Sequence, residues 1–132
     1  MGHYAADACV VWCFDDRFSG LLGAFVKDFK NFDLVKVAGG AKALAGDASP
    51  DRDFVFGQIE TSIRLHGTKK IVLMLHRDCG AYGGSKSFVD AAAEKDNYIN
   101  QLTNAKSFLK KEIPDMPVSA YFADADGLYE VS

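Results

Sequence analysis

Short apolar segments alternate with longer amphipathic segments along the chain. Four of the short segments are near-continuous runs of hydrophobic residues, which is typical of strands buried on both faces of a parallel sheet. These predicted strands span residues 8–13, 33–37, 71–75 and 118–122. A turn at residues 124–127 separates the last of them from residues 128–131, which we predict to form an edge strand.

Three segments between the strands repeat their hydrophobic residues at helical spacing. The first predicted helix spans residues 19–31, with Ser19 as its N-cap. The second spans residues 52–66 and ends at Gly67. The third spans residues 87–111, and its polar residues 94–97 are a candidate interruption.

Strands that alternate with helices indicate βαβ units. We therefore predict the α/β class, as a three-layer α-β-α fold over a single domain, residues 1–132. Its mainly parallel sheet would have four or five strands in the order 2-1-3-4, with a candidate antiparallel edge strand. Functional residues of such sheets gather at the C-terminal ends of the strands. In this order the first and third strands are neighbours, so the residues that end them should lie side by side.

The composition limits the classes of partner. A net charge of -3 gives no electrostatic reason to expect a nucleic acid. No apolar segment approaches the ~20 residues of a membrane span, and no basic segment followed by an apolar one indicates a signal peptide. Three cysteines, an odd number, argue against a disulfide framework. Free or metal-bound thiols in a cytoplasmic protein are the better interpretation.

The residues that end the first and third strands have the chemistry of metal ligands. Cys13 ends the first strand, and His76 and Cys79 follow the third. Two thiolates and an imidazole, with the carboxylate of Asp15 nearby, form a tetrahedral set suited to zinc. Asp15 as a fourth ligand would close the site, whereas a bidentate pair with Arg17 would withdraw the carboxylate and leave a position for water. The alternative from the residues alone is that the cysteines and the histidine are ordinary core residues.

These motifs also resemble those of a known family. Residues 13–17 (Cys-x-Asp-x-Arg) followed by residues 76–80 (His-x-x-Cys-Gly) are similar to the signature of the β-class carbonic anhydrases. Residues 37–40 (Val-Ala-Gly-Gly) lie where that family carries a further loop of its site. Gly39 and Gly40 of this loop, together with Gly80, are predicted to line the substrate pocket, because glycine permits close approach of the backbone.

The resemblance implies a zinc-dependent lyase that converts carbon dioxide reversibly to bicarbonate. Zinc would be held by Cys13, His76 and Cys79. Asp15 would be either a fourth ligand or, paired with Arg17, an acceptor that orients zinc-bound hydroxide for its attack on carbon dioxide. The resemblance also implies a homodimer or a higher homo-oligomer. Because two thiolates donate more charge than neutral imidazoles do, we expect activity to favour alkaline pH.

Two alternatives to this function remain open at the level of sequence. One is a zinc-binding homologue that is non-catalytic or that acts on another substrate, as in hydrolysis of carbonyl sulfide. The other is a nucleotide or anion binder, because residues 80–87 (Gly-Ala-Tyr-Gly-Gly-Ser-Lys-Ser) resemble a phosphate-binding loop between a strand and a helix. Ser85 stands where that motif requires a glycine before its lysine.

Overall fold

The computed structural model describes residues 3–132, which form one five-stranded sheet with helices on both faces. The strands are β1 (Ala8–Cys13), β2 (Phe32–Val37), β3 (Ile71–His76), β4 (Val118–Asp124) and β5 (Gly127–Val131). The helices are α1 (Ser19–Val26), α2 (Lys42–Ala45), α3 (Pro50–His66) and α4 (Ala91–Glu112). The strand order is β2-β1-β3-β4-β5; β5 is antiparallel to β4 and the other pairs are parallel. The predicted fold class, strand order and antiparallel edge strand are confirmed.

Aromatic side chains join the sheet to a helical layer on each side. Phe25 of α1 packs against Trp12 of β1 and Tyr121 of β4, with ring centroids 6.2 and 5.1 Å away. Phe122, the next residue of β4, stacks on Tyr98 of α4 at 5.7 Å. Successive strand residues point to opposite faces, so α1 and α4 lie on opposite sides of the sheet.

The middle strands β1 and β3 carry the core. All six residues of each strand are buried, which explains their near-continuous hydrophobic sequences. The two strands pair in parallel, with Val11 opposite Leu73. Their C-terminal residues, Cys13 and His76, therefore emerge at the same edge of the sheet. Within residues 3–132, no helix has both the length and the apolar character needed to cross a membrane.

The first helix is shorter than its hydrophobic spacing predicts. It ends at Val26 rather than at residue 31, because the chain turns there and the N–H of Lys30 donates to the carboxylate of Asp7. Ser19 is also not the N-cap. It is the first helical residue after a 3-10 turn at Asp16–Phe18, and its hydroxyl accepts a hydrogen bond from Lys36 at 3.0 Å.

The last helix begins later than predicted and is continuous. Its first residue is Ala91 rather than residue 87, because residues 85–87 form a separate 3-10 turn and Asp90 caps the helix by accepting from the N–H of Ala93. The polar residues 94–97 do not interrupt it. The short helix α2 was not predicted, whereas α3 ends as predicted at Gly67, which has a left-handed conformation.

Candidate metal centre

Three side chains with metal-binding chemistry meet at the C-terminal edge of the sheet. Cys13 ends β1, His76 ends β3, and Cys79 lies in the loop that follows. Their potential ligand atoms all lie within 4.8 Å of one another, and all three residues are buried. The structure thus brings together residues that are 63 positions apart in sequence, because β1 and β3 are neighbouring parallel strands.

The imidazole of His76 is oriented for coordination through Nε2. Nδ1 lies 2.7 Å from the carbonyl oxygen of Arg77, which only accepts hydrogen bonds, so Nδ1 carries a proton and Nε2 is the nitrogen that the neutral ring can offer to a metal. The ring of Phe18 packs against the imidazole with centroids 4.2 Å apart. Nε2 is buried and has no hydrogen-bond partner among residues 3–132. A buried nitrogen without a partner is costly, and a metal ion would satisfy it.

The two thiols differ in their acidity. The pKa of Cys13 lies well below its ordinary value, chiefly because the Cys79 thiol donates a hydrogen bond to its sulfur; burial opposes this, while the His76 side chain and the backbone N–H groups of Asp15 and Gly39 lower the pKa further. The pKa of Cys79 is raised, since it donates that bond and is buried. The pair therefore holds one thiolate, the form that binds a metal. Two sulfurs and one imidazole nitrogen form a donor set that fits zinc.

The carboxylate of Asp15 is bound to the guanidinium of Arg17. Nη2 of the arginine lies 2.7 Å from Oδ2, and Nε lies 3.1 Å from Oδ1. These bonds lower the pKa of Asp15 to about 2, so the group is an anion throughout the physiological range. Oδ2 lies 3.8 Å from Nε2 of His76. The predicted pair of Asp15 with Arg17 is thus formed, and the role of the carboxylate toward a metal stays a prediction.

Asp78 holds the other side of that arginine. Its Oδ2 accepts from Nη1 of Arg17 at 2.9 Å, and its carbonyl oxygen accepts from Nη2 at 3.0 Å. Oδ1 accepts from the backbone N–H of Ser85 at 2.7 Å. This last bond weakens the phosphate-loop hypothesis, because a carboxylate of the protein already takes an amide that a phosphate would need.

Two residues of α4 support the metal-binding loop and were not predicted from the sequence. Glu94 is 1% exposed, and its carboxylate accepts from the backbone N–H of Asp78 at 2.7 Å. The hydroxyl of Tyr98 accepts from the N–H of Cys79 at 3.3 Å and donates to Glu94 at 3.0 Å. Burial raises the pKa of Glu94, but its hydrogen bonds outweigh this and leave the pKa below its ordinary value. The signal in the sequence was a glutamate and a tyrosine one helical turn apart. It was missed because the polar residues 94–97 were interpreted as a candidate interruption of the helix.

The predicted pocket glycines Gly39 and Gly40 lie directly against the metal centre. Gly40 has φ 55°, and a Cβ there would lie 2.6 Å from the carbonyl oxygen of Met74 and 3.1 Å from the backbone nitrogen of Cys13. Gly39 has φ 80°, and its Cβ would lie 3.1 Å from that of Ala81. Both positions require glycine, because the conformation and the space exclude a side chain.

An open cleft of about 830 Å³ adjoins this loop. It is lined by small and apolar residues, among them Val37, Ala38 and Ala81, and also by the charged residues Lys42, Asp47 and Asp51. Gly80, the third predicted pocket residue, begins the 3-10 turn that carries Ala81. Within residues 3–132 the lining of this cleft includes none of the three predicted pocket glycines, so their place in a substrate pocket stays a prediction.

Comparisons with known proteins identify a family and a fold. A family model described as "Putative carbonic anhydrase" matches residues 4–131. An uncharacterised protein of Rickettsia conorii is 27% identical over an alignment of 132 positions, gaps included. The alignment covers 95% of this chain and 71% of the relative. The family match extends over nearly the whole chain.

Two solved structures have the same fold. A carbonic anhydrase from Glaciozyma antarctica matches with a TM-score of 0.70 at 16% identity, covering 98% of this chain and 84% of that chain. A carbon disulfide hydrolase in its apo form matches with a TM-score of 0.66 at 15% identity, covering 98% and 80% of the two chains. At such identities the likeness concerns the fold alone.

Proposed function

The chain belongs to this carbonic anhydrase family, as the resemblance of its motifs predicted, and from that premise we propose that it is a zinc-dependent lyase. Its reaction would be the reversible hydration of carbon dioxide to bicarbonate. One observation carries the proposal: the ligand atoms of Cys13, His76 and Cys79 converge within 4.8 Å beside an arginine-paired aspartate. Zinc bound by these three residues would supply Lewis acidity, which lowers the pKa of coordinated water to roughly 7 in zinc enzymes generally.

The side chains around the centre have complementary roles in this proposal. Arg17 keeps Asp15 ionised. Oδ2 of Asp15 would then accept a hydrogen bond from the hydroxide that attacks carbon dioxide and would orient it. Phe18 covers one face of the His76 imidazole and excludes water from it. Carbon dioxide is small and apolar, and the cleft beside Ala38 suits it.

Zinc content and carbon dioxide hydration test the proposal together. We expect about one zinc per chain and a stopped-flow hydration rate that rises between about pH 6.5 and 9, because two thiolates shift the pKa of zinc-bound water upward. Cys13→Ala should lose both zinc and activity. Cys9→Ala is the matched control: Cys9 is also buried in β1 and lies outside the cluster of ligand atoms. Zinc-loaded protein without activity at alkaline pH, or with a flat or acid-favouring profile, would contradict the proposal.

A second candidate is hydrolysis of a sulfur analogue of carbon dioxide. The fold shared with a carbon disulfide hydrolase favours it, and the same three ligands would serve. Release of sulfide from carbon disulfide or carbonyl sulfide, without carbon dioxide hydration, would select this candidate. A zinc-loaded protein inactive in both assays would instead be a non-catalytic homologue.

The assembly and the location of the protein are further parts of the proposal. We infer a homodimer or a higher homo-oligomer, supported by the two open edges of the sheet at β2 and β5 and by exposed aromatic residues such as Phe54. We infer a cytoplasmic location, supported by the three cysteines, which are free thiols in the structure.

A further inference from the structure

We propose that Glu94 is a positioning residue for the metal centre. From α4 it fixes the loop between His76 and Cys79 and, through Asp78, holds Arg17 in its place beside the centre. The inference rests on the proposed zinc site but not on the proposed reaction. It assigns a role to a buried carboxylate that touches neither the ligand atoms nor the cleft.

The surroundings of Glu94 indicate a built site. Its Oε1 accepts from the hydroxyl of Ser85 at 2.8 Å and from Nη1 of Arg77 at 3.1 Å. Its Oε2 accepts from the N–H of Asp78 at 2.7 Å and from the hydroxyl of Tyr98 at 3.0 Å. A carboxylate this deeply buried is costly unless it is paired and fully hydrogen-bonded. Three of its four donors belong to residues 77–85, the segment that carries Cys79.

Asp78 needs this support because of its backbone conformation. Its φ of 59° lies in the left-handed region, which is sterically unfavourable for a residue other than glycine and needs local hydrogen bonds to hold it. Glu94 accepts its N–H, and the N–H of Ser85 binds its side chain. Because the hydroxyl of Ser85 is itself bound to Glu94, the glutamate holds both Asp78 and the residue that braces it.

The conformation of Asp78 in turn determines the position of Arg17. The arginine side chain is 57% exposed, and a long exposed side chain has many accessible rotamers. Asp78 supplies two of its hydrogen bonds, at 2.9 and 3.0 Å. Without them the guanidinium would keep only its bonds to Asp15, and its side chain would have more accessible rotamers beside the centre.

A second line of contacts runs from Glu94 directly to a ligand. The hydroxyl of Tyr98 donates to Glu94 and therefore presents its lone pair to the N–H of Cys79 at 3.3 Å. Glu94 thus sets the orientation of the hydroxyl that holds the Cys79 backbone. Outer-shell contacts of this kind orient metal ligands and tune affinity.

The variant Glu94→Gln tests the role. Glutamine has nearly the same volume, but its amide presents donors where the protein also presents donors. We expect zinc affinity, measured by chelator competition, to fall roughly 10- to 100-fold. The ligand-field and thiolate charge-transfer bands of the cobalt-substituted protein should also change. Glu112→Gln, an exposed glutamate at the end of the same helix, is the matched control and should leave both unchanged.

Two milder variants keep the test decisive if Glu94→Gln folds poorly. Tyr98→Phe keeps the ring and removes the hydroxyl, and Ser85→Ala changes an exposed residue. Both should lower zinc affinity by less than Glu94→Gln and alter the cobalt spectrum in the same direction. These changes should occur at unchanged circular dichroism, which a general loss of structure would not allow.

The outcomes separate this inference from the proposed function. If Glu94→Gln, or both milder variants, bind zinc with wild-type affinity and give the wild-type cobalt spectrum, the positioning role is wrong whatever the activity. A wild-type protein that binds zinc but hydrates no carbon dioxide overturns the proposed reaction, and the affinity measurements still decide the role of Glu94. A wild-type protein that binds neither zinc nor cobalt overturns both.

Discussion

Gly40 illustrates how closely single residues fit the metal centre. Its φ is 55°, and a Cβ added at this position would lie only 2.6 Å from the carbonyl oxygen of Met74, which leaves no space for a side chain. The same Cβ would lie 3.1 Å from the backbone nitrogen of Cys13, so the loop of Gly40 packs against the backbone of a metal ligand. Any substitution here must move that backbone.

We expect Gly40→Ala to lower the free energy of unfolding by at least about 2 kcal/mol, because left-handed strain adds to a contact that only a backbone shift relieves. Urea denaturation of the metal-free protein measures this. Gly57→Ala is the control: nothing lies within 4 Å of its Cβ position in the middle of α3, so alanine should stabilise the helix by about 0.5–1 kcal/mol. A Gly40→Ala variant as stable as wild type would contradict the steric argument.

The residues of the centre were predictable to different degrees. Cys13, His76 and Cys79 could be brought together from sequence, because each directly ends or follows a strand and the strand order fixes which ends meet. The pair of Asp15 with Arg17 is local, and its geometry follows from a separation of two residues. Glu94 was not predicted, because its role depends on how α4 packs against the loop, and its spacing to Tyr98 alone does not specify that packing.

At the scale of elements, Asp33 connects β2 to α3 and to the N-terminal segment. It lies at the N-terminal end of β2, whereas the metal centre lies at the C-terminal ends of the strands. Its Oδ2 accepts from the hydroxyl of Ser62 and from Nδ1 of His66, each at 2.7 Å, and Oδ1 accepts from Tyr4. Burial raises the pKa of Asp33, but the bonds from Tyr4, His66 and Ser62 outweigh it, so the pKa lies below its ordinary value. The ionised form of Asp33 therefore stabilises the folded state.

The variant Asp33→Asn should be less stable than wild type at pH 7, by about 1–3 kcal/mol, since buried donors lose a charged acceptor. A lowered pKa contributes stability above the unfolded value of about 4, and this contribution disappears as the pH falls through the folded value. The difference between the two proteins should therefore shrink below about pH 4, as thermal unfolding at several pH values would show. Asp115→Asn, at an exposed loop position, should change stability by no more than about 0.5 kcal/mol. A difference that stays constant down to about pH 2 would exclude the ionised Asp33 as its source.

Element boundaries were predicted well where capping chemistry is local and poorly where tertiary contacts decide. Gly67 ends α3 as predicted, and the helix begins at Pro50, two residues before the predicted start, with Ser49 as its N-cap. Phe29 has the spacing of a third helical turn, yet the bond from the N–H of Lys30 to Asp7 draws the chain out of the helix toward β2. That bond joins residues 23 positions apart, so helical periodicity could not predict it.

At the scale of the molecule, the strand order determined where chemistry would be found. Alternating strands and helices restrict the topology to a few arrangements, and the observed order β2-β1-β3-β4-β5 places the ends of β1 and β3 together. Assembly is a different matter, because one sequence carries little information on which surfaces meet. The structure adds the exposure of apolar side chains on α3: Phe54 is 60% exposed and Leu65 48% exposed. Eleven residues apart, they share one face of the helix.

We predict that this face of α3 contributes to an interface between copies of the chain. Wild-type protein should sediment as a dimer or a larger assembly over a range of concentrations. Phe54→Glu should shift it toward monomer, because a charge in an apolar interface is desolvated without a partner. Val89→Glu is the control, since Val89 is 89% exposed and lies in the loop before α4 rather than on α3. A monomeric wild-type protein would contradict the proposed assembly. A Phe54→Glu variant that assembles like wild type would show that the interface is not on this face of α3. The strand edges at β2 and β5 would then be the next surfaces to test by mutation.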